Sequence, residues 1–250
     1  MIELNKIYNE DCLEGMKRIP DKSIDMILCD LPYGTTRNKW DSIIPLEPLW
    51  EQYERVIKDN GAIVLFAQTP FDKILGASNL KLLRYEWIWE KTAATGHLNA
   101  KKMPMKAHEN ILVFYKKLPV YNPQKTTGHQ RKVSTAEHKR NSRSTTNYGE
   151  HGLTGYDSTE RYPRSVQVFP TDKQKDATHP TQKPVALCEY MIKTYTTEGA
   201  VVLDNASGYA TTALACINTN RSYIGFETDE KWFSLGNDRI AKHKEGKLSD

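Results

Sequence analysis

The segment Asp30-Leu31-Pro32-Tyr33-Gly34 follows directly on the apolar run Ile24–Cys29, and residue types in that order could do chemistry. An apolar run of strand length fixes a carboxylate at its carboxyl end. Pro32 presets the backbone and leaves carbonyls that no helix claims. Tyr33 offers a flat face on which a planar base can stack. An ordinary strand-to-loop exit could use the same residues, so the rest of the chain must decide.

A second arrangement lies near the other end. Ala200-Val201-Val202-Leu203 reads as a strand entering Asp204. A turn of small residues, Asp204-Asn205-Ala206-Ser207-Gly208-Tyr209-Ala210, leads to a helix over Thr211–Ile217, and the strand Tyr223–Phe226 then ends in Glu227. Strand, small-residue turn, helix, strand, acid is the plan of a nucleotide-binding unit. The turn lets backbone approach a ligand, and the acid can accept two ribose hydroxyls. The turn is not Gly-x-Gly-x-x-Gly, and a plain βαβ crossover with a surface acid reads equally well from these residues alone.

The elements that must hold these groups alternate. Leu46, Leu49, Trp50, Tyr53, Val56 and Ile57 have helical spacing, Asn60-Gly61 stops that helix, and Ala62–Phe66 is a second buried strand. Thr69-Pro70 opens a helix over Phe71–Ala77, Leu83–Trp89 alternates as a strand, and Ile111–Tyr115 is another. Past a polar stretch, Val185, Cys188, Met191, Ile192 and Tyr195 share a helical face, Gly199 ends that helix, and a last helix starts at Asp229. Near-continuous apolar strands alternating with helices imply a mainly parallel sheet covered on both faces. Such a sheet presents all its strand ends at one edge, so Asp30, Phe66, Asp204 and Glu227 are expected to converge there.

Composition narrows the class of function. From Thr92 to Ser144 there are eleven lysines and arginines against Glu109 and Glu137, a local balance of +9 in a chain of net charge +4. A basic central segment on an acidic body suggests a polyanion partner, although a solvated linker can also be basic. From about Tyr121 to Lys175 the periodicity collapses into a loop-rich stretch. The four cysteines are scattered, which argues against a disulfide framework or zinc site and for a reducing cytoplasm. The seven histidines form no ligand pair, so no metal is assigned. No signal peptide or membrane-spanning run is read.

Taken together, these pieces resemble the circularly permuted (beta-group) DNA amino-methyltransferases of the N6-adenine/N4-cytosine family. In that group a D-P-P-Y-like motif comes first, a target-recognition region follows, and the S-adenosylmethionine motifs come last. The resemblance runs through Asn9-Glu10-Asp11-Cys12-Leu13, Asp30-Leu31-Pro32-Tyr33, His179-Pro180-Thr181-Gln182-Lys183-Pro184, Val202-Leu203-Asp204 with Thr211-Thr212, and Gly225-Phe226-Glu227. It implies an α/β fold: one Rossmann-like domain with a mostly parallel seven-stranded sheet and a loop-rich target-recognition insertion. The implied segments are 1–91 and 176–250 for the catalytic body and 92–175 for the insertion.

The resemblance also implies roles. Glu227 would hold the ribose of S-adenosylmethionine, Asp11 and Cys12 would lie against its adenine, and Asp204, Asn205, Ala206, Ser207, Gly208 and Thr211 would line its methionine portion. Thr181 and Lys183 would reach the methionine carboxylate. Read in isolation, Asp11 is equally a helix N-cap and Lys183 a solvated lysine. Asp30 and a main-chain carbonyl near Leu31 or Pro32 would accept the amino hydrogens of a base flipped out of double-stranded DNA, with Tyr33 as its platform. Asp30, Leu31, Pro32 and Tyr33 are thus the expected catalytic set, and Asp30 also borders the cofactor. Cys12 and Cys29 are expected to be packing residues. Lys101, Lys102, Arg131, Lys132, Arg140 and Arg143 are candidate DNA contacts, with Gln130 and Asn141 as further base-edge candidates.

Two departures stand out. Leu31 replaces the first proline, where mainly a carbonyl is needed. Gly208-Tyr209-Ala210 replaces the usual Gly-x-Gly, and an alanine held at positive φ there costs on the order of 1 kcal/mol. The expected reaction is adenine N6 methylation in a bacterial or phage-infected cell, because aspartate rather than serine opens the motif. A cytosine-N4 enzyme is the nearest alternative, and a DNA-binding relic that has lost catalysis is another. A protein-glutamine methyltransferase ranks lower. A homodimer and a partner restriction nuclease stay open.

Overall fold

A computed structural model describes residues 2–34, 42–135, 137, 155–172 and 182–248. The chain forms two compact units, Met1–Asn122 with Ser165–Asp250, and Pro123–Arg164. These bounds differ from the expected segments: a border at 91/92 would cut the strand Leu83–Thr95, which belongs to the first unit.

The first unit is built on β1 (Lys6–Tyr8), β2 (Ile24–Asp30), β3 (Ile57–Ala67), β4 (Leu83–Thr95), β5 (Lys106–Phe114), β8 (Val166–Phe169), β9 (Val201–Asp204) and β10 (Ser222–Phe226). The helices are α1 (Cys12–Met16), α2 (Leu46–Val56), α3 (Phe71–Ser78), α4 (Val185–Tyr195), α5 (Thr211–Asn218) and α6 (Glu230–Leu248). One sheet runs in the order β1-β10-β9-β2-β3-β5-β4-β8. Only β5 is antiparallel to its neighbours.

The sheet therefore has eight strands where seven were expected. The eighth, β8, is four residues within the polar stretch and pairs at the edge with β4, Ile88 opposite Val166. One buried neighbour and alternating exposure give it no apolar run for a sequence pattern to catch. β1 was not expected either, and three expected strands are longer than read: β3 and β5 begin five residues earlier, so that Asn60-Gly61 lies within β3 instead of stopping a helix, and β4 runs six residues further. Ile57 leaves the helix it was assigned to and begins β3, which then bulges between its pairings with Ile24 and Met26.

Strand alternation divides the core between the two faces. Met26, Leu28, Val64 and Phe66 pack with Leu187, Met191 and Ile192 of α4 and Ala213 and Leu214 of α5. Ile27, Cys29, Ile63 and Leu65 face Met16 of α1, Leu49, Trp50 and Tyr53 of α2, and Phe71 and Leu75 of α3. Between β9 and β2 the strand order reverses direction, and there a parallel sheet opens a crevice at its carboxyl edge. Asp30 ends β2 and Asp204 ends β9, so both carboxylates stand at this reversal.

The second unit contains β6 (Lys132–Ser134) and β7 (Tyr156–Ser158), paired antiparallel. Arg131 grips Asp157 with two bonds of 2.7 and 2.6 Å, and Lys125 pairs with Glu160 at 2.9 Å. Arg131 is thus already engaged by a carboxylate, while Lys132 is exposed. Arg140, Asn141 and Arg143 lie outside the described residues.

Candidate active site

A cleft of about 570 Å3 opens at the carboxyl edge of the sheet in the first unit. Asp11, Cys12, Asp30, Leu31, Pro32, Tyr33, Lys183, Asp204, Asn205, Ala206, Ser207, Gly208, Thr211 and Glu227 all line it. Thr181 lies outside the described residues. Residues separated by most of the chain therefore face one space large enough for a nucleotide-sized ligand.

The Asp30 end of the cleft is a chain of charges. Tyr33 donates its hydroxyl to Asp30 Oδ1 at 2.7 Å, and Lys183 Nζ donates to Asp30 Oδ2 at 2.6 Å. Lys183 Nζ also stands 3.1 Å from Glu109 Oε2, and Glu109 Oε1 is 2.6 Å from Lys91 Nζ. Lysine has three donors: one goes to Asp30, and the contact with Glu109 is an ion pair in which Oε2 accepts no hydrogen bond, which leaves hydrogen to spare. Partial burial raises the Asp30 pKa and outweighs the opposing pull of Lys183. Burial alone would lower that of Lys183, but Asp30 and Glu109 outweigh it and keep the ammonium charged. Burial likewise works against ionised Glu109, and its two lysines prevail to hold its pKa low.

Lys183 is thus neither solvated nor free for a cofactor alone; its first partner is Asp30. Sequence reasoning missed Lys91 and Glu109. Trp89 of β4 lies opposite Glu109 of β5, and because β5 runs antiparallel its first half reaches the same edge as the end of β4. The available signal was a single acid, Glu109, just before an apolar strand within an otherwise basic segment. The ring of Tyr33 stacks on Phe71 with centroids 5.3 Å apart.

At the other end the turn after β9 is tied down by backbone hydrogen bonds. Ser207 N–H donates to the Phe226 carbonyl at 2.8 Å, and its hydroxyl to the Asp204 carbonyl at 3.0 Å. Glu227 accepts from Gly208 N–H and Asp229 N–H, each at 2.8 Å, one on each carboxylate oxygen. Burial raises the Glu227 pKa. Asp204 is 6% exposed, accepts from Ala206 N–H at 3.2 Å, and is pushed up by burial to about 6. Asn205 bonds the Tyr53 hydroxyl and donates to Cys12 Sγ at 3.6 Å. Burial lifts the Cys12 thiol to about 11, which suits a packing residue and not a nucleophile.

Asp11 takes the N-cap role: its Oδ1 accepts from Leu13 N–H at 2.8 Å and Glu14 N–H at 3.2 Å. Ala210 does adopt the left-handed conformation, at φ 61 and ψ 30. A glycine facing it gives its methyl room, since a Cβ at Gly236 of α6 would lie 3.3 Å from Ala210 Cβ and 3.2 Å from the Gly208 carbonyl. Tyr209 lines the cleft and is held by its neighbours: Arg239 donates to its carbonyl at 2.8 Å and lies 4.5 Å from its ring centroid, and Trp232 meets it edge-on.

Two features fit a bound cofactor. The Glu227 oxygens each keep lone pairs beyond the single N–H they accept. Gln182, 8% exposed and lining the cleft, has no hydrogen-bond partner for either amide atom. A buried unpaired amide is costly unless a ligand completes it. Among the described residues there is no cluster of side chains that could hold a metal ion.

A parallel sheet with carboxylates at its reversal point, a tied small-residue turn and an acid on the next strand defines a nucleotide-cofactor enzyme of the methyltransferase fold. The chain belongs to the N6/N4 methyltransferase family, described as DNA methylase, whose model matches residues 24–238. It is 26% identical over 261 residues to the DNA adenine methyltransferase YhdJ of Escherichia coli (strain K12), covering 95% of this chain and 83% of that one. It is 29% identical to the type II methyltransferase M.BglII of Bacillus subtilis, covering 93% and 68%. Among solved structures, the M1.HpyAVI–SAM complex superposes with a TM-score of 0.63 at 23% identity, covering 94% of this chain and 98% of that one. The cytosine-N4-specific PvuII DNA methyltransferase gives 0.67 at 14% identity, covering 93% and 84%. At these identities the structural likeness speaks for the fold alone.

Proposed function

We propose that the protein is an S-adenosylmethionine-dependent DNA methyltransferase acting on adenine N6, with its motifs in the circularly permuted order. The observation that carries the reading is that Asp30 and Glu227, at the ends of different strands, open into one cleft. When bound, S-adenosylmethionine supplies an electrophilic sulfonium methyl group. Glu227 accepts the two ribose hydroxyls, the Asp204–Ala210 turn lines the methionine portion, and the spare hydrogen of Lys183 meets its carboxylate. Asp11 and Cys12 border the adenine.

An exocyclic amino nitrogen is a poor nucleophile because its lone pair is shared with the ring. Asp30 and the carbonyl of Leu31 or Pro32 accept its two hydrogens, favouring a tetrahedral nitrogen whose lone pair is free to attack. Asp30 is anchored by Tyr33 and Lys183, so most of the rate comes from alignment and fixed charge. The target base leaves the duplex to stack against Tyr33. Exposed Lys101 and Lys102 on the β4–β5 connection, and Lys132 of the second unit, contact phosphates. Such an enzyme works in the cytoplasm, alone or beside a nuclease reading the same site, as a monomer or with a second copy.

The test is transfer of labelled methyl from S-adenosylmethionine to unmethylated DNA, with mass spectrometry of the nucleosides. N6-methyladenine, lost in Asp30→Ala, is the expected product. N4-methylcytosine would keep the site and overturn the target. Duplex binding without transfer would overturn the catalytic reading in favour of a DNA-binding relic.

A further inference from the structure

The charges behind Asp30 alternate in sign: Lys183, Glu109, Lys91, at 2.6, 3.1 and 2.6 Å in succession. All three side chains are more than nine-tenths buried. Burying charges is costly, and apolar replacements of such groups are often neutral or stabilising, so stability alone does not account for the row. Lys91, Glu109 and Lys183 line the cleft with Asp30, but Asp30 ends β2 at the strand reversal and its side chain is the most exposed of the four, at 30%.

We infer that Glu109 and Lys91 are positioning residues for Asp30, acting through Lys183 to orient its carboxylate and to set the pH at which it ionises. The inference rests on the methyltransferase reading for what Asp30 does. Lys183 is shared between two carboxylates, so Glu109 draws it from Asp30, and Lys91 restrains Glu109 by engaging its other oxygen. Removing the Glu109 charge leaves Lys183 wholly to Asp30 and removes a nearby negative charge; both changes favour the carboxylate. Removing the Lys91 charge leaves Glu109 uncompensated and does the reverse.

Other groups bear on Asp30 from every side. Tyr33, Cys29 of β2 and Cys188 of α4 are kept protonated by burial, and burial pushes Asp204 of β9 up to about 6; none of these groups is substituted. The variants therefore differ only in the row itself.

The experiment follows the Asp30 carboxyl by 13C NMR in the protein alone, its signal assigned by its loss in Asp30→Asn. In parallel, the acid limb of the methyl-transfer pH profile is measured. Glu109→Gln is expected to move both down by about one pH unit, and Lys91→Met to move both up by about as much. The double variant is expected to follow Glu109→Gln, because Lys91 acts through Glu109, and Glu109→Asp to stay close to the native value. Shifts of the same sign, or variants that lose activity with the titration unmoved, overturn the inference. If Glu109→Gln fails to fold, the upward shift in Lys91→Met decides alone. Absence of methyl transfer by the native protein would sink the functional reading, while the NMR titration would still judge the row.

Discussion

Asp204 holds a charge that the fold resists, and its removal has a sign that can be worked through. It ends β9 at 6% exposure, and burial lifts its pKa from 3.8 to about 6 against the hydrogen bonds from Thr212 and Ala206 N–H. The unfolded chain ionises this group near 3.8 and the folded one near 6, so between them the folded state binds the proton more tightly. Stability from this group is therefore greatest below about pH 4 and falls as pH rises to 6. At about 1.4 kcal/mol per pH unit, the full cost above pH 6 is about 3 kcal/mol.

Asp204→Asn removes the titration and keeps an oxygen for Ala206 N–H. Urea unfolding should find the variant more stable than the native protein by about 1–3 kcal/mol at pH 7.5. That advantage should shrink by about 2 kcal/mol at pH 4, where native Asp204 is largely protonated when folded. Other carboxylates titrate in both proteins and cancel. A variant less stable at pH 7.5, or an advantage independent of pH, would refute the reasoning. The retained charge has a use at this cleft: a carboxylate favours a sulfonium over a thioether. Asp204→Asn should accordingly weaken S-adenosylmethionine binding severalfold more than S-adenosylhomocysteine binding, read by calorimetry.

Glu227→Gln sets an amide hydrogen against either Gly208 N–H or Asp229 N–H, both of which the carboxylate now accepts. S-adenosylmethionine affinity should fall about 10- to 100-fold by calorimetry, for charged hydrogen bonds worth about 1.5–3 kcal/mol. Tyr33→Phe keeps the ring on Phe71 but removes the hydroxyl that donates to Asp30. It should lower kcat about tenfold with cofactor affinity unchanged, the signature of about 1.4 kcal/mol lost at the transition state. Gly236→Ala crowds Ala210 and the Gly208 carbonyl, and should cost about 1–2 kcal/mol in urea despite the better helix former. Adding Ala210→Gly should recover part of that cost, because one of the two close contacts is gone. Lys101→Gln and Lys102→Gln should each lower the salt dependence of DNA binding by about one counterion, and an unchanged slope would remove these residues from the interface.

The sequence made the strand ends legible because each motif residue sits where an apolar run stops. Asp30, Asp204 and Glu227 could be brought together on the geometry of a parallel sheet alone. What it hid depends on partners distant in sequence. Lys91 was not singled out and Glu109 was only one of two acids in a basic segment, because it is the β4–β5 pairing that folds them toward the cleft. Lys183 was assigned to the cofactor by its motif, yet its nearest acceptor lies on β2 at 2.6 Å.

The same limit explains the turn. The alanine at positive φ was visible as a strain, but its accommodation was not, since Gly236 stands on α6 and neither element is patterned by the other. β8 escaped because an edge strand exposed on alternate residues carries no continuous apolar run. Local apolar patterning thus places backbone, and backbone places carboxylates at an edge. Which ammonium or glycine answers each carboxylate or methyl is decided by register between strands and helices, and register is where a one-residue slip would dismantle the Asp30 row while leaving every motif intact.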